Sequence, residues 1–326
     1  GSALGFQVTF FCSRPALDDA NPSRFAPAQL LFANVALSDP HAGKLQHDQR
    51  SARSGFGLAD ASETDTSVHI GDWSLRRFAG KPYGQYRVDI AAANFTLAFT
   101  MQPLQPVLLN GTQGYSRKGP LASQASYYYS EPSLRVEGTL LRERASGRQP
   151  EHVRGTAWLD HEWSSALLAD EAVGWDWIGI NLDDGGALMA FQIRDKAGRK
   201  FWAGGTRRGA DGAARELAPG DVVFTPLRWW RSPHTGARYP VAMRVDAGGL
   251  QLVLTPLLDD QEVDSRTSTG AVYWEGAVSV SQAAHADANE SQADAKAASD
   301  ARTGTAAKTL GHGYLELTGY VQRLDL

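Results

Sequence analysis

The chain has 326 residues, of which 42% are hydrophobic and 21% are charged, the balance of an ordinary globular protein. Its net charge of −4 at pH 7 gives no electrostatic basis for binding nucleic acid. No stretch of the sequence is long and apolar enough to cross a membrane. Cys12 is the only cysteine, which excludes an internal disulfide and a cysteine-based metal site.

Hydrophobic residues alternate with small or polar ones along much of the chain, which is the pattern of β-strands with one buried face. Clear examples are residues 95–101, 241–245 and 250–254. Asp184-Gly185 and Ala247-Gly248-Gly249 are typical of hairpin turns. No long stretch repeats its apolar residues every 3.6 positions, as an amphipathic helix would. The sequence therefore predicts an all-β protein built from antiparallel strands.

The two halves of the chain resemble each other in the order of their features. Each has tryptophan, then tyrosine, then an alternating strand that runs into Pro-Leu, then a strand containing Glu-Gly. The matching residues are Trp73 with Trp229-Trp230, Tyr86 with Tyr239, Pro103-Leu104 with Pro256-Leu257, and Glu137-Gly138 with Glu275-Gly276. Four matches in one order indicate two copies of one β-domain, which we place at residues 1–145 and 146–326.

The comparison of the halves also reveals a gap at the start of the chain. The segment 5–10 parallels 186–191, and in the second half a strand at 175–182 precedes it as a hairpin partner. Only four residues precede Gly5 in the first half. We therefore expect the N-terminal domain to lack its opening strand.

Residues 281–309 differ in composition from the rest of the chain. They include no Val, Leu, Ile, Met or aromatic residue and are rich in Ala, Asp, Ser and Thr. Such a segment cannot supply a core face. We expect a disordered loop between two late strands, of which the second covers residues 313–324.

The segment Trp158-Leu159-Asp160-His161-Glu162-Trp163 combines tryptophans with charged residues, as does Gly174-Trp175-Asp176-Trp177 soon after it. On a strand, Asp160 and Glu162 point to one face and His161 to the other. Water-poor surroundings raise the pKa of a carboxylate and can make it a general acid. An alternative remains open, in which these residues form a polar belt at a barrel rim and the tryptophans fill the core.

These phrases, together with Gly5-Phe6-Gln7-Val8-Thr9-Phe10-Phe11 and Tyr314-Leu315-Glu316-Leu317-Thr318-Gly319-Tyr320, resemble the bacterial AttH-type predicted secreted hydrolases. Those proteins are grouped with the carotenoid 1,2-hydratases (hydroxyneurosporene synthases). The resemblance covers nearly the whole chain. It implies two lipocalin-like antiparallel β-barrels in tandem and a periplasmic or secreted protein. The fold transfers between such relatives more safely than the reaction does.

In the carotenoid hydratases, an aspartate in an aromatic-x-Asp-x-Asn motif protonates an isolated alkene. Trp158, Asp160 and Glu162 occupy the matching positions, so the resemblance gives Asp160 the role of the acid. Glu162 departs from the amide of that motif.

Other chemistries have little support in the sequence. There is no Gly-x-Ser-x-Gly elbow, no His-x-His or Glu-x-x-His metal spacing, and the glycine-rich segment 111–119 lacks the Walker pattern. We therefore expect neither a metal ion nor an organic cofactor. Lys118 in that segment can still reach a ligand at a barrel mouth, and Tyr128 lies in a tyrosine run with one face free to line a cleft between barrels.

The leading hypothesis is a protein that binds a hydrophobic small molecule at or between two barrels, with acid-assisted hydration or hydrolysis as its chemistry. Two alternatives stay open, a non-catalytic binder of lipids or other apolar ligands in the cell envelope, and a structural or attachment protein with filled barrels. The candidate catalytic residues are Asp160, His161 and Glu162, and the candidate ligand-binding residues are Trp163, Trp175, Asp176, Trp177, Lys118 and Tyr128.

Overall fold

A computed structural model describes residues 3–14, 23, 25–143, 147, 149–165, 168–283 and 308–323. Residues 284–307, which make up most of the predicted loop at 281–309, lie outside the described residues. Among the residues that are described, no helix has the length and apolar character needed to span a membrane.

Antiparallel strands account for nearly all the regular structure, as the alternation predicted. The strands of the first half are β1 (Gly5–Ser13), β2 (Leu30–Ser38), β3 (Gln46–Arg53), β4 (Ala59–Ala61), β5 (Ser67–Ile70), β6 (Trp73–Phe78), β7 (Gln85–Ala91), β8 (Phe95–Gln102), β9 (Leu108–Leu109), β10 (Tyr115–Arg117), β11 (Ala125–Arg142) and β12 (Gln149–Trp163). In β8, every second side chain is buried, which matches its hydrophobic alternation.

The second half contains one short 3₁₀ turn among its strands. Its elements are β13 (Ala172–Leu182), β14 (Ala187–Asp195), β15 (Lys200–Arg208), β16 (Ala214–Leu217), the 3₁₀ turn Pro219–Asp221, β17 (Val222–Arg231), β18 (Arg238–Ala247), β19 (Leu250–Pro256), β20 (Glu262–Ser265), β21 (Ala271–Gln282) and β22 (Thr309–Leu317). Both predicted hairpin turns are confirmed. Gly185 joins β13 to β14, and Gly248 and Gly249 join β18 to β19, all three with positive φ.

The strands form three sheets with a repeated order. The first sheet is β1-β2-β3, and the second runs β10-β11-β8-β7-β6-β5-β4, with β9 and β12 also paired to β11. The third runs β16-β15-β14-β13-β22-β21-β19-β18-β17, with β20 paired to β21. The order β11-β8-β7-β6 thus recurs as β21-β19-β18-β17, and β1-β2-β3 recurs as β14-β15-β16. This repeat agrees with the duplication read from the sequence.

The halves differ in one respect, because the first half forms two separate sheets and the second half forms a single sheet. In the third sheet, β13 pairs with both β14 and β22 and so joins the two parts into one sheet. No strand among the described residues stands between β1 and β12 in this way. The predicted division near residue 145 falls in the hairpin between β11 and β12, both strands of the second sheet, and it stays a prediction.

Two large cores fill the spaces enclosed by the sheets. The first lies between the first and second sheets and includes Leu31, Trp73 and Leu97. The second lies inside the third sheet and includes Ile178 and Trp274. Strand β17 packs back against β14 and β15, so the third sheet curves around its core. The all-β antiparallel class is therefore confirmed, whereas two closed barrels remain a prediction.

The first sheet lies directly against the third, and Gly5 allows this close approach. A Cβ atom on Gly5 would lie 2.5 Å from Ala277 Cβ and 2.7 Å from Tyr314 Oη. The second sheet also contacts the third, because Trp177 of β13 donates a hydrogen bond to Tyr128 of β11 and Arg208 of β15 donates to Gln105 Oε1 and Val107 O in the connection between β8 and β9. The outer face of the third sheet is thus covered by both sheets of the first half.

Candidate functional site

One wall of the candidate site is built by the long hairpin of β11 and β12. Tyr128 stands opposite Glu162, and Ser130 stands opposite Asp160. Residues directly opposite in an antiparallel pair project to the same face, so these four side chains share one surface. Trp158 shares it as well, since its indole Nε1 donates to Asp160 Oδ1 over 2.8 Å. This surface faces the third sheet, because Trp177 Nε1 of β13 donates to Tyr128 Oη over 3.0 Å.

The opposing wall is the outer face of the third sheet. Trp177 stands opposite Glu316, and Glu316 stands opposite Glu275, so an indole and two carboxylates lie side by side on β13, β22 and β21. Trp175 lies on the same face and interacts with Glu316. We call the four carboxylates Asp160, Glu162, Glu275 and Glu316, with the aromatic side chains around them, the inter-sheet site.

Asp160 is surrounded by neutral hydrogen-bond donors. Ser130 Oγ donates to its Oδ1 over 2.6 Å, and Trp158 Nε1 donates to the same oxygen. Tyr128 also interacts with the carboxyl group. These donors favour the carboxylate, but burial outweighs them and raises the pKa of Asp160 to about 6. At neutral pH, roughly a tenth of such a group is protonated, which suits a general acid.

The accessible surface of Asp160 refines this conclusion. Asp160 is accessible to solvent, although burial is the main cause of its raised pKa. Both hold for a carboxyl group that many protein atoms surround and that water still reaches. That water screens the charge, and a ligand that expels it raises the pKa of Asp160 further.

Glu162 is paired with Lys118, the cation of segment 111–119 that we predicted to reach a ligand. Lys118 Nζ lies 2.8 Å from Glu162 Oε1, and Ser126 Oγ donates to the same oxygen over 2.5 Å. The ammonium group also lies 4.8 Å from the ring centre of Tyr128 and 4.2 Å from that of Phe191. Lys118 is therefore fixed between two aromatic faces and neutralises Glu162.

Glu275 and Glu316 form the second pair of carboxylates. Burial and repulsion from Glu316 raise the pKa of Glu275 well above its usual value. Burial also raises the pKa of Glu316, to about 7, with Asp160 and Glu162 adding repulsion. Gln7 of β1 donates a hydrogen bond from Nε2 to Glu275 Oε2. Two carboxylates this close titrate as a coupled pair that retains a proton near neutral pH.

Tyrosines and amides of the first sheet complete the boundary of the site. Asn34 Nδ2 donates to Tyr273 Oη over 3.1 Å, and Gln7 Nε2 approaches the same oxygen at 3.3 Å. Tyr314 interacts with Ser38 of β2. All three sheets thus contribute side chains to one polar cluster with aromatic walls.

The structure brings six of the nine predicted residues together and places three elsewhere. Asp160, Glu162, Lys118, Tyr128, Trp175 and Trp177 line the inter-sheet site. His161 and Trp163 lie on the opposite face of β12, where His161 Nδ1 lies 2.9 Å from Tyr129 Oη and the Trp163 ring stacks on Tyr127. At this end of β12 the face is open to solvent, with Trp163 52% exposed, whereas Leu159 of the same face is buried in the first core. The alternation of β12 therefore separates His161 from Asp160, as the sequence indicated.

Asp176 also points away from the inter-sheet site. It faces the interior of the third sheet, where it is 1% exposed and its Oδ1 lies 3.1 Å from Arg194 Nε. Gln192 and Tyr320 donate further hydrogen bonds to it. Burial raises its pKa, and Arg194 opposes that effect. These contacts are those of a structural buried ion pair.

Glu275 and Glu316 were not among the predicted site residues. A signal for them exists in the sequence, because each interrupts a strand of apolar and aromatic residues with a single acid, as in Tyr273-Trp274-Glu275 and Leu315-Glu316-Leu317. Within the described residues, no group of three His, Cys, Asp or Glu side chains is arranged to hold a metal ion. Two surface pockets, near Leu252 and near Asp195, lie outside this site.

Comparisons with known proteins agree with this fold. A family model described as AttH-like matches residues 1–320, which confirms the resemblance seen in the sequence. A crystal structure assigned to AttH from Nitrosomonas europaea has a TM-score of 0.81 and 50% identity, and the match covers 98% of this chain and 88% of that chain. No curated protein matches the chain.

Two more distant structures share the fold. Kievitone hydratase from Nectria haematococca has a TM-score of 0.65 at 16% identity, with 90% of this chain and 81% of that chain covered. The protein CghA has a TM-score of 0.54 at 11% identity, with 99% and 85% covered. At such identities the similarity shows the fold alone.

Proposed function

The chain belongs to the AttH-like family, and on that premise we propose that its inter-sheet site binds a hydrophobic small molecule and adds water to a carbon–carbon double bond. Asp160 is the general acid of this reaction. The choice of reaction class follows the resemblance to the carotenoid hydratases, and one structural neighbour with this fold is named as a hydratase. We also propose that the two halves form two lipocalin-like barrels, with the site between them.

The environment of Asp160 is the observation that carries this proposal. In the part of the chain that the structure describes, its hydrogen-bond partners are the neutral groups of Ser130, Trp158 and Tyr128. Asp176, by contrast, is paired with Arg194, whose charge opposes the effect of burial on its pKa. A carboxyl group without a cation, such as Asp160, can hold a proton near neutral pH, which a purely structural carboxylate does not need to do.

The geometry of Asp160 defines the proton transfer. Because Oδ1 accepts hydrogen bonds from Ser130 and Trp158, the acidic proton is placed on Oδ2. Oδ2 gives this proton to one alkene carbon, and the neighbouring carbon becomes a cation that the π faces of Trp175 and Trp177 stabilise. A water molecule then forms a C–O bond to the cation and loses a proton, which returns to the Asp160 carboxylate. The sum is one alkene plus one water giving one alcohol.

Non-catalytic binding of an apolar ligand is the alternative, and one experiment separates the two. Native mass spectrometry of the purified protein would reveal a co-purified hydrophobic ligand. That ligand is then incubated with the protein in ¹⁸O-labelled water. A hydratase yields a product heavier by one labelled water, and Asp160→Asn yields none while it still binds the ligand. A ligand that binds and is recovered unchanged from the wild-type protein contradicts hydration and supports the binder.

A periplasmic or secreted location is part of the proposal and rests on the family resemblance. Cell fractionation of the source organism with an antibody to this protein tests it. Recovery with cytoplasmic markers would contradict this location without affecting the assignment of the site.

A further inference from the structure

The inter-sheet site contains carboxyl groups for which the described residues supply no positively charged partner. Lys118 pairs with Glu162. Among the described residues, Asp160, Glu275 and Glu316 form no ion pair with any lysine, arginine or histidine. Three carboxyl groups from three strands thus lie at the inter-sheet site without a cation. Isolated carboxylates in such surroundings are costly unless they are protonated or paired.

Gln7 gives an independent indication that a donor is missing. It is 7% exposed, and its Nε2 donates to Glu275 and approaches Tyr273 and Thr9. Its Oε1, at the other end of the same amide, is buried and has no hydrogen-bond partner. A buried acceptor without a partner costs about 1–3 kcal/mol, and most native structures avoid it. The amide therefore presents an unused acceptor within the carboxylate cluster.

Aromatic groups surround the same point. Trp177 stands beside Glu316 in the sheet, and Trp175 interacts with the Glu316 carboxyl. The ring of Trp177 lies across Gly179, where a Cβ atom would be 2.5 Å from it, and Trp158 packs against the same position. Indole faces attract cations, and they also offer apolar surface to a hydrocarbon chain.

We propose that the inter-sheet site takes an amphiphilic ligand whose protonated amine lies between Glu275, Glu316 and Gln7, with its apolar part against the tryptophans. This inference rests on the proposed function and specifies the class of ligand. A primary ammonium group has three N–H donors, one for each carboxylate and one for Gln7 Oε1. An alcohol has a single donor, and a carboxylate ligand would meet like charges. The ammonium is therefore the head group that satisfies the whole cluster.

Binding of a cation should also release protons. Burial raises the pKa values of Glu275 and Glu316, repulsion from Glu316 adds to the shift of Glu275, and repulsion from Asp160 and Glu162 adds to that of Glu316, so the pair retains a proton near neutral pH. A positive charge beside the pair stabilises the carboxylates and lowers both pKa values. At pH 6–7 the pair should therefore lose its proton when the ammonium arrives. A neutral ligand in the same position has no such effect.

The test uses three probes with hydrocarbon chains of the same length and different head groups, namely decylamine, decanol and decanoate. Isothermal titration calorimetry at pH 6.5, in two buffers with different ionisation enthalpies, measures affinity and proton release together. We expect decylamine to bind at least about tenfold more tightly than decanol, which one charge-assisted interaction supplies. Proton release should accompany decylamine binding only. In Glu275→Gln and Glu316→Gln the preference for the amine should shrink, whereas the exposed Glu137→Gln should retain it.

Each outcome separates this inference from the proposed function. If decanol binds as tightly as decylamine, or decanoate binds more tightly, the amine head group is wrong and the hydrophobic site stands. If none of the three probes binds, hydrophobic ligand binding itself is contradicted. Decanol binding by each variant shows whether its site is intact. If a variant fails to fold, the ratio of the two affinities and the proton release of the wild-type protein decide the question alone.

Discussion

The substitution Glu316→Gln should stabilise the protein at alkaline pH, although it alters the centre of the inter-sheet site. Glu316 lies directly opposite Glu275, in surroundings where burial raises its pKa to about 7. Glutamine keeps the shape of the side chain and can still accept a hydrogen bond from Trp175. It also removes the repulsion that Glu316 exerts on Glu275.

The sign and size of the effect follow from linkage. Between the ordinary pKa of 4.5 and about 7, the folded protein retains a proton that the unfolded chain releases. Raising the pH through this window therefore favours unfolding, and above pH 7 the loss is complete. A full shift would cost about 3 kcal/mol at about 1.4 kcal/mol per pH unit. Because Glu316 is only half-buried and solvent screens part of its charge, we expect about 1–2 kcal/mol.

Urea denaturation at pH 4.5 and pH 8 measures the difference in unfolding free energy between the variant and the wild-type protein. The variant should match the wild-type protein at pH 4.5 and exceed it at pH 8, because only the wild-type protein then carries the uncompensated charge. Glu137→Gln, a change of the same kind on the exposed face of β11, controls for the lost charge and should show no such gain. A wild-type stability that does not fall between these pH values, or a variant that parallels it, would refute the reasoning.

Four further predictions follow from the structure. Asp160→Asn should keep the melting temperature but lower the rate of hydration of the identified ligand about 10²–10⁴-fold. The wild-type rate should fall as the pH rises above about 6, because the acid loses its proton. A rate that changes neither with the substitution nor with pH would exclude Asp160 as the acid. Arg194→Met should cost about 3–5 kcal/mol in urea denaturation, because it leaves Asp176 buried without its cation; a small loss would show that Asp176 is not a structural ion-pair partner. Gly5→Ala should cost about 1–3 kcal/mol by the same measurement, because its Cβ would be only 2.5 Å from Ala277 Cβ; an unchanged midpoint would mean that the two sheets separate easily. Replacement of residues 284–307 by a short Gly-Ser turn should not lower the melting temperature, because closing a shorter loop costs less by about 0.6 kcal/mol per halving and the composition offers no core contacts; a large drop would reveal such contacts.

The sequence by itself determined the elements and the faces of the chain. Alternation at 95–101, 241–245 and 250–254 corresponds to strands β8, β18 and β19. The same rule separated Asp160 and Glu162 from His161, because successive side chains on a strand point to opposite faces. The repeated strand order was also visible in the order of motifs. All these features are local or repetitive, so a linear pattern can record them.

Only the tertiary structure decided which faces meet. Glu275 and Glu316 come within reach of Asp160 because β21 and β22 pair with each other and the second sheet packs over them. Asp176, close to two tryptophans of the site in sequence, faces the interior of the third sheet and pairs with Arg194. The alternation of side chains shows that a strand has two faces. It does not show which face packs on a core, which lines a site and which is exposed to solvent. That choice depends on contacts between strands more than a hundred residues apart, which no local pattern contains.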